Sequence, residues 1–268
     1  MSYKTDMHIH SYYSDGTMKP TELVRQYQEN EYDVIAITDH DGIDGVKEAK
    51  IAGEAVRIMV MTGIEFSTVM PSGIELHMLG YKFDEDNPAL NAKLKEIRER
   101  RSERNEKMLK AFQEMGYDIT EEDLKQRPGQ TYIGKPNFAR AFVKKGYAAT
   151  PREAFNSDKL LGAPEIRAIK KIKIDTFEAM SLITNAGGMP VLAHPMEIEK
   201  LGEAASEEFF QNMDKLVGEL KSGGLKGIEC YHPSATEADS LKLVLLAQKY
   251  HLHITEGSDY HGPDLEQR

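Results

Sequence analysis

Cysteine is nearly absent from this chain of 268 residues. Cys230 stands alone, which excludes an internal disulfide framework and leaves a small buried side chain as its simplest role. Long apolar runs free of charge are missing too, so no transmembrane helix is expected. The opening stretch MSYKTDMHIH has no apolar segment of the kind a signal peptide needs. The expectation is a cytoplasmic protein with no membrane partner and no stable protein partner evident. Positive charge is in deficit, with a formal net charge of -10. That balance argues against broad attraction to nucleic acid, while leaving room for a local basic patch. Bound divalent cations would offset some of the acidic side chains. Neither a G-x-S-x-G elbow nor a Walker-type loop occurs, so nothing points to an activated serine or a P-loop.

What the chain does have is alternation. Short apolar runs rich in β-branched residues fall at about 4–10, 33–39, 58–67, 74–83, 189–195, 226–232 and 252–259. Amphipathic segments separate several of them. They include KPTELVRQYQEN, where Pro20 suits a first helical turn, TFEAMSLITNAGG, EEFFQNMDKLVGELKSGG and ATEADSLKLVLLAQKY. Such alternation favours a parallel sheet or a β/α barrel, and 40% hydrophobic residues suffice for a core. It breaks between residues 84 and 172. There a long charged helix, LNAKLKEIRERRSERNEKMLKAFQEMGY, precedes KPNFARAFVKKGY and TPREAFNSDKLL. The expected organisation is a barrel from 1–83 and 173–268, with a helical insertion at 84–172 rich in Lys and Arg. The KEIRERRSERNEK run admits two readings: a solvated face laced with i,i+4 ion pairs, or a positive lid over an anionic substrate.

The residues that carry chemistry sit at or near strand ends, where β/α barrels gather their sites. The first run ends in His8-Ile9-His10, with Asp15 in the following loop. The second ends in Asp39-His40, the third holds Glu65 in TGIEFS, and the fourth holds His77 in IELHMLG. VLAHP places His194 at a strand end, and the last run leads into Asp259 and His261 of EGSDYHG. Six of the nine histidines thus fall at one predicted edge of the sheet, with Asp15, Glu65 and Asp259. Each element alone has a plain structural explanation: H-x-H as a chance pair, Asp39 as a helix cap, Glu65 as a surface carboxylate. All of them together at one edge do not. Alternate strand residues share a face, so His8 and His10 can reach one ion. Imidazole and carboxylate without thiolate suit Zn, Mn, Fe and similar ions, and nine donors exceed one tetrahedral site. Two or three divalent ions (Mn, Fe, Zn or Mg) are therefore the expected cofactors. His232 in ECYHPSAT lies near enough to this edge for a role on the substrate, whereas His251 and His253 flank the start of the last run, away from its functional end, and are expected to be structural.

HIHSYYSDG, AITDHD, TGIEFS, VLAHP and GSDYHG, in this order, resemble the motifs of the PHP family, named for polymerase and histidinol phosphatase. The resemblance spans the chain, with the helical segment lying between LHMLGY and VLAHP. It implies an α/β fold, a distorted seven-stranded (β/α)7 barrel, and a centre of three metal ions. On the matching positions it implies one ion at His8, His10, Glu65 and Asp259. A second would lie at Glu65, His77 and His194, with Glu65 bridging, and a third at Asp15, His40 and His261. Asp39 is then expected to orient the loop or a ligand histidine. The chain most resembles the branch with a helical insertion, whose members include 3′,5′-nucleoside bisphosphate phosphatases and enzymes that trim short RNAs from the 5′ end. GKPNFARAFVKKGY resembles that branch's insertion motif, which makes Arg140 and Lys135 candidates for substrate phosphate, a task suited to the arginine fork. Family members generally continue with another helix past the last motif, whereas seven residues follow His261 here.

A metal-dependent phosphoesterase is the expected function, acting on a small phosphorylated substrate: a 3′,5′-nucleoside bisphosphate or the 5′ end of a short RNA. A metal-bridging hydroxide is the expected nucleophile, with the basic insertion stabilising developing charge. Two alternatives stand beside it, a histidinol-phosphate phosphatase using the same metals and a non-catalytic module that keeps the fold. The first has no second phosphate to offer the insertion. The second predicts losses among the motifs, and none is visible.

Overall fold

In a computed structural model, which describes residues 3–127 and 130–263, the alternating runs become the staves of a nearly closed barrel. The first part lays down β1 (Thr5–Ile9), α1 (Pro20–Glu29), β2 (Val34–Ile37), α2 (Val46–Val56), β3 (Met59–Val69) and β4 (Glu75–Tyr81). A helical stretch follows: α3 (Pro88–Glu114), α4 (Glu121–Leu124), α5 (Lys135–Lys144), α6 (Pro151–Asn156) and α7 (Pro164–Ala168). The chain returns through β5 (Ile174–Asp175), α8 (Thr176–Asn185) and β6 (Met189–Leu192) to a 3-10 turn at Pro195–Glu197. It ends with α9 (Glu207–Ser222), β7 (Gly227–Tyr231), α10 (Glu237–Lys249) and β8 (His253–Glu256). Among the described residues, no helix is long and apolar enough to cross a membrane.

Seven strands follow the order β1-β2-β3-β4-β6-β7-β8, and β5 lies off this path against the end of β3. So short a strand leaves no alternation to read in the sequence. The ring approaches closure where the segment after β8 meets β1, the His10 N–H donating to the Tyr260 carbonyl at 2.8 Å. Asp6 reinforces this seam. Its buried carboxylate accepts the Ser258 N–H at 3.0 Å, the Ser258 hydroxyl at 2.5 Å and the Tyr27 hydroxyl at 2.7 Å.

Not every neighbouring pair in this barrel is parallel. β4 runs antiparallel to both β3 and β6. The cause is local, because β3 and β4 are joined by the turn Met70-Pro71-Ser72-Gly73, too short for a crossover helix. Gly73 takes φ 82° there, a left-handed conformation that glycine enters without steric cost. The reversal pairs the start of β4 with the end of β3 and sets His77 opposite Ser67.

Alternation along the strands divides the interior. Ile64 and Phe66 of β3, with Leu76 and Met78 of β4, face the helices and pack with Met180, Met213 and Leu243. The other face of the same strands carries Glu65, His77, Leu79 and Tyr81. Leu79 and Tyr81 join Met7, Ala36, Val191 and Ala193 in a small apolar plug. The polar residues occupy what is left of that face.

Helix α3 starts at Asn87, whose side chain accepts the N–H groups of Ala89 and Leu90, with Pro88 in the first turn. Leu90, Leu94, Ile97, Met108 and Phe112 are buried along it at spacings that keep one stripe, and Arg101 and Arg104 fill the remaining places in that stripe. Its outer side carries the i,i+4 pairs Arg100–Glu96, Lys95–Glu99 and Lys110–Glu114. Phe112 is fully buried and meets Phe142 edge-on, ring centroids 4.8 Å apart, in a cluster belonging to the helical stretch. Phe112→Ala is expected to cost about 3–5 kcal/mol. Amide exchange around Phe138 and Phe142 reads the effect, and unchanged protection there would contradict it.

Candidate metal centre

Glu65 lies in the middle of the site. It is fully buried on β3, and its nearest neighbours are imidazoles. Oε1 is 2.9 Å from His77 Nδ1, 3.0 Å from His194 Nε2 and 3.3 Å from His8 Nε2. Oε2 is 2.7 Å from His40 Nδ1 and 3.4 Å from His10 Nε2. Asp259, past β8, brings Oδ1 to 3.0 Å from His10 Nε2 and 3.5 Å from His8 Nε2. Asp15, in the loop after β1, has Oδ1 3.2 Å from His261 Nε2 and Oδ2 3.7 Å from His40 Nε2. The nine residues singled out along the sequence therefore stand in one network of contacts.

The local backbone is shaped to hold them. Asp39 accepts the Ser11 N–H at 2.8 Å and the hydroxyls of Ser11 and Ser14 at 2.6 Å each, pinning the loop that carries Asp15. Gly16 closes this loop where any Cβ would stand 2.3 Å from the His10 carbonyl oxygen. His194 and Asp259 take φ 23° and 52°, values costing roughly 1–3 kcal/mol for residues with a side chain. Glu229 on β7 meets His8 Nδ1 at 3.1 and 3.3 Å and accepts the His194 N–H at 2.7 Å.

Burial alone would favour neutral groups. Here the imidazoles keep carboxylates ionised, and the carboxylates in turn favour the charged form of some of the imidazoles. Burial raises the Glu65 pKa, yet His40, His77 and His8 hold it well below the ordinary carboxylate range. Burial pulls His194 and His261 down, but Glu65 and Asp15 respectively push them up to about 9. His10 falls to about 3 through burial and through the neighbouring His261 and His40. Even so, the buried His8 Nε2, His10 Nε2, His40 Nδ1 and Glu65 Oε2 have no hydrogen bond. Buried polar atoms are seldom left so. Imidazole nitrogens crowded against carboxylate oxygens without hydrogen bonds are the arrangement expected of ligands sharing cations. Three groups have donor atoms within 4.8 Å of one another: His10, Asp15, His40 and His261; His8, His10 and Glu65; His40, Glu65 and His77. They overlap at His10, His40 and Glu65, and the donor set fits divalent metal ions.

A cavity of about 620 Å³ opens on this cluster. Asp15, His40 and His77 line one side, and Arg101, Arg104, Lys135, Arg167, Lys170 and Lys171 line much of the rest. Asp41 holds two of these cations. Its carboxylate accepts from Arg101, from Lys171 Nζ at 2.9 Å and from the Ser67 N–H at 2.9 Å. Although burial opposes it, Lys171 and Arg101 keep the Asp41 pKa below its ordinary value. Arg104 is 8% exposed and donates to Asn105 Oδ1 at 2.8 Å, while its Nε has no partner. Burial lowers the Lys135 pKa, helped by Arg104, Lys170 and Arg167.

The other residues picked from the sequence divide. Lys135 lines the cavity, whereas Arg140 Nη2 donates to the Asp15 carbonyl at 2.9 Å and so braces that loop. His232 stands at the margin, its Nε2 3.8 Å from Asp259 Oδ2 and its ring 5.4 Å from that of His194. Glu229, Asp41, Arg101, Arg104 and Lys171 escape the sequence reading. Glu229 did leave a trace, an acid inside the apolar run KGIECYH. Arg101 and Arg104 left another, by falling in register with the apolar stripe of α3.

Comparison with known proteins agrees with this chemistry. Residues 6–147 match the family model described as PHP domain. The chain is 32% identical to a 5′-3′ exoribonuclease of Haemophilus influenzae, over 98% of this chain and 92% of the relative. It is 31% identical to a phosphoribosyl 1,2-cyclic phosphate 1,2-diphosphodiesterase of Eggerthella lenta, over 96% and 94%. A 3′,5′-nucleoside bisphosphate phosphatase of Chromobacterium violaceum is 30% identical, over 96% and 87%. A crystal structure from Bifidobacterium adolescentis, assigned as a metal-dependent phosphoesterase, has a TM-score of 0.85 at 27% identity, over 99% of this chain and 90% of that one.

Glu65→Gln keeps the volume of the central side chain and removes its charge. It is expected to weaken divalent-metal binding by more than the roughly 100-fold that loss of an outer hydrogen-bond partner causes. Metal analysis after gel filtration of Mn²⁺-loaded protein reads this directly. Full retention of metal by the variant would contradict a central role for Glu65.

Proposed function

The chain belongs to the PHP domain family, and we propose that it is a metal-dependent phosphoesterase whose substrate carries a second phosphate. A 3′,5′-nucleoside bisphosphate or the 5′ end of a short RNA meets that description. The observation that carries this reading is one cavity shared by the imidazole–carboxylate cluster and seven cationic side chains, Lys173 among them. A lone scissile phosphate needs only the first of these walls. The names of the relatives, an exoribonuclease, a cyclic-phosphate diesterase and a bisphosphate phosphatase, support hydrolysis of a phosphoester.

The residues that would hold metal are His8, His10, Asp15, His40, Glu65, His77, His194, Asp259 and His261. Two or three ions suit so many donors, and Mn, Fe, Zn and Mg all accept nitrogen or oxygen ligands. Bound there, they supply Lewis acidity toward phosphate oxygens and water acidic enough to act near neutral pH. The remaining work falls to the protein's own side chains. Arg104 and Lys135 bind the distal phosphate and thereby fix where the scissile one rests. Arg101, tied to Asp41 and lying 4.1 Å over the Tyr132 ring, gives the cavity a rigid cationic edge. Positive charge fixed in advance also stabilises the charge that builds on phosphoryl oxygens.

In this reading residues 84–172 form a substrate-covering unit on a barrel of 1–83 and 173–268. Its separate apolar cluster and its inward cations support that division. Histidinol phosphate fits the cavity less well, since it brings one phosphate and its amine would meet like charge.

With Mn²⁺ present, phosphate release from adenosine 3′,5′-bisphosphate is expected to exceed that from histidinol phosphate by roughly 10-fold or more. Arg104→Ala is expected to raise KM for the bisphosphate about 10–100-fold, with a smaller effect on an ester bearing one phosphate. Equal rates on the two substrates in metal-loaded protein would contradict the second-phosphate reading.

A further inference from the structure

Glu229 is a carboxylate with no surface in water, on an otherwise apolar strand, and it stands outside the set of residues assigned to metal. Its two oxygens lie 3.1 and 3.3 Å from His8 Nδ1, and Oε2 also accepts the backbone N–H of His194 at 2.7 Å. These two histidines come from different strands, β1 and the end of β6, and both reach Glu65. His8 Nε2 is 3.3 Å from Glu65 Oε1 and His194 Nε2 is 3.0 Å from it.

Two physical consequences follow. An imidazole that gives one nitrogen to a metal keeps a proton on the other, and the acceptor of that proton fixes both tautomer and ring orientation. Glu229 sits where it accepts from Nδ1, leaving the lone pair of the hydrogen-bond-free Nε2 for the centre. The second consequence concerns the backbone. His194 is held at φ 23°, ψ 65°, and such strain persists only where surrounding contacts enforce it. The charge-assisted bond from its N–H to Glu229 is such a contact. The packing leaves Glu229 little freedom, since a Cβ on Gly257 would stand 2.5 Å from its Oε1 and 2.3 Å from His8 Cβ.

We propose that Glu229 is a positioning residue for the metal centre, locking His8 in the Nδ1–H tautomer and His194 in its left-handed turn so that two donors meet at Glu65. The proposal rests on the metal-dependent reading given above. Glu229→Gln preserves volume but removes the charge and puts an amide NH₂ donor where one of the two oxygens faces His8 Nδ1–H or the His194 N–H. The variant is expected to bind Zn²⁺ about 10–100-fold more weakly than the native chain in a chelator competition. Its Co²⁺-loaded form is expected to show a changed visible spectrum. A merely structural role predicts a lower Tm with Zn²⁺ affinity and Co²⁺ spectrum unchanged, and that result would overturn the proposal. Native protein that bound no Zn²⁺ at all would instead overturn the metal reading itself. A variant-free check covers failure of Glu229→Gln to fold: ¹⁵N NMR of the Zn²⁺-loaded native chain. His8 is expected to carry its proton on Nδ1, and a proton on Nε2 would overturn the assignment.

Discussion

Taking a carboxylate out of water without compensation costs several kcal/mol, and Glu65 retains no exposed surface. Its compensation comes from five imidazoles, which reach it from β1, from the loop after β2, from β4 and from the turn after β6. No single supersecondary unit could bring them together. The sheet has to curl until the segment beyond β8 lies against β1, and β4 has to run backwards so that His77 enters beside the end of β3. On that same face of β4, Leu79 and Tyr81 belong to the apolar plug. Core and site therefore share strands, and the polar cluster replaces apolar packing that the barrel would otherwise have had.

The helical stretch repeats this substitution on a smaller scale. Leucines at positions 101 and 104 would continue the apolar stripe of α3, and buried guanidinium groups are costly unless paired. Asp41 supplies a partner for Arg101, one residue beyond His40. Arg140 bears on the Asp15 carbonyl, and Arg127 lies 4.0 and 4.5 Å over the rings of Tyr12 and Tyr13. Each of these cations from the helical stretch thus rests on a loop that also carries donor residues. The cationic side and the imidazole–carboxylate side of the cavity are built on shared supports.

Much of the barrel was legible because its parts are local. Short apolar runs rich in β-branched residues, several of them separated by amphipathic segments, gave seven strands, and the ordered histidine and carboxylate motifs gave the family resemblance. The antiparallel course of β4 was written only in the brevity of one turn. The donor residues could be read because histidine is scarce and strand ends are predictable. Their supports could not be read so easily. Glu229 and Asp6 matter through contacts with residues far away in sequence, and a single acid in a strand has many meanings. Arg101 and Arg104 were hidden in a charged run whose outer side is ordinary solvated helix, so charge alone could not separate the two faces. Arg140 carried a motif resemblance, and the geometry gives it the Asp15 loop to hold.

Anomalous diffraction from crystals grown with Mn²⁺ would test the central claim most directly. At least two peaks are predicted among the nine donor residues, with Glu65 carboxylate oxygens about 2.0–2.2 Å from them. A well-ordered cluster with no anomalous peak at Glu65, at saturating Mn²⁺, would contradict it.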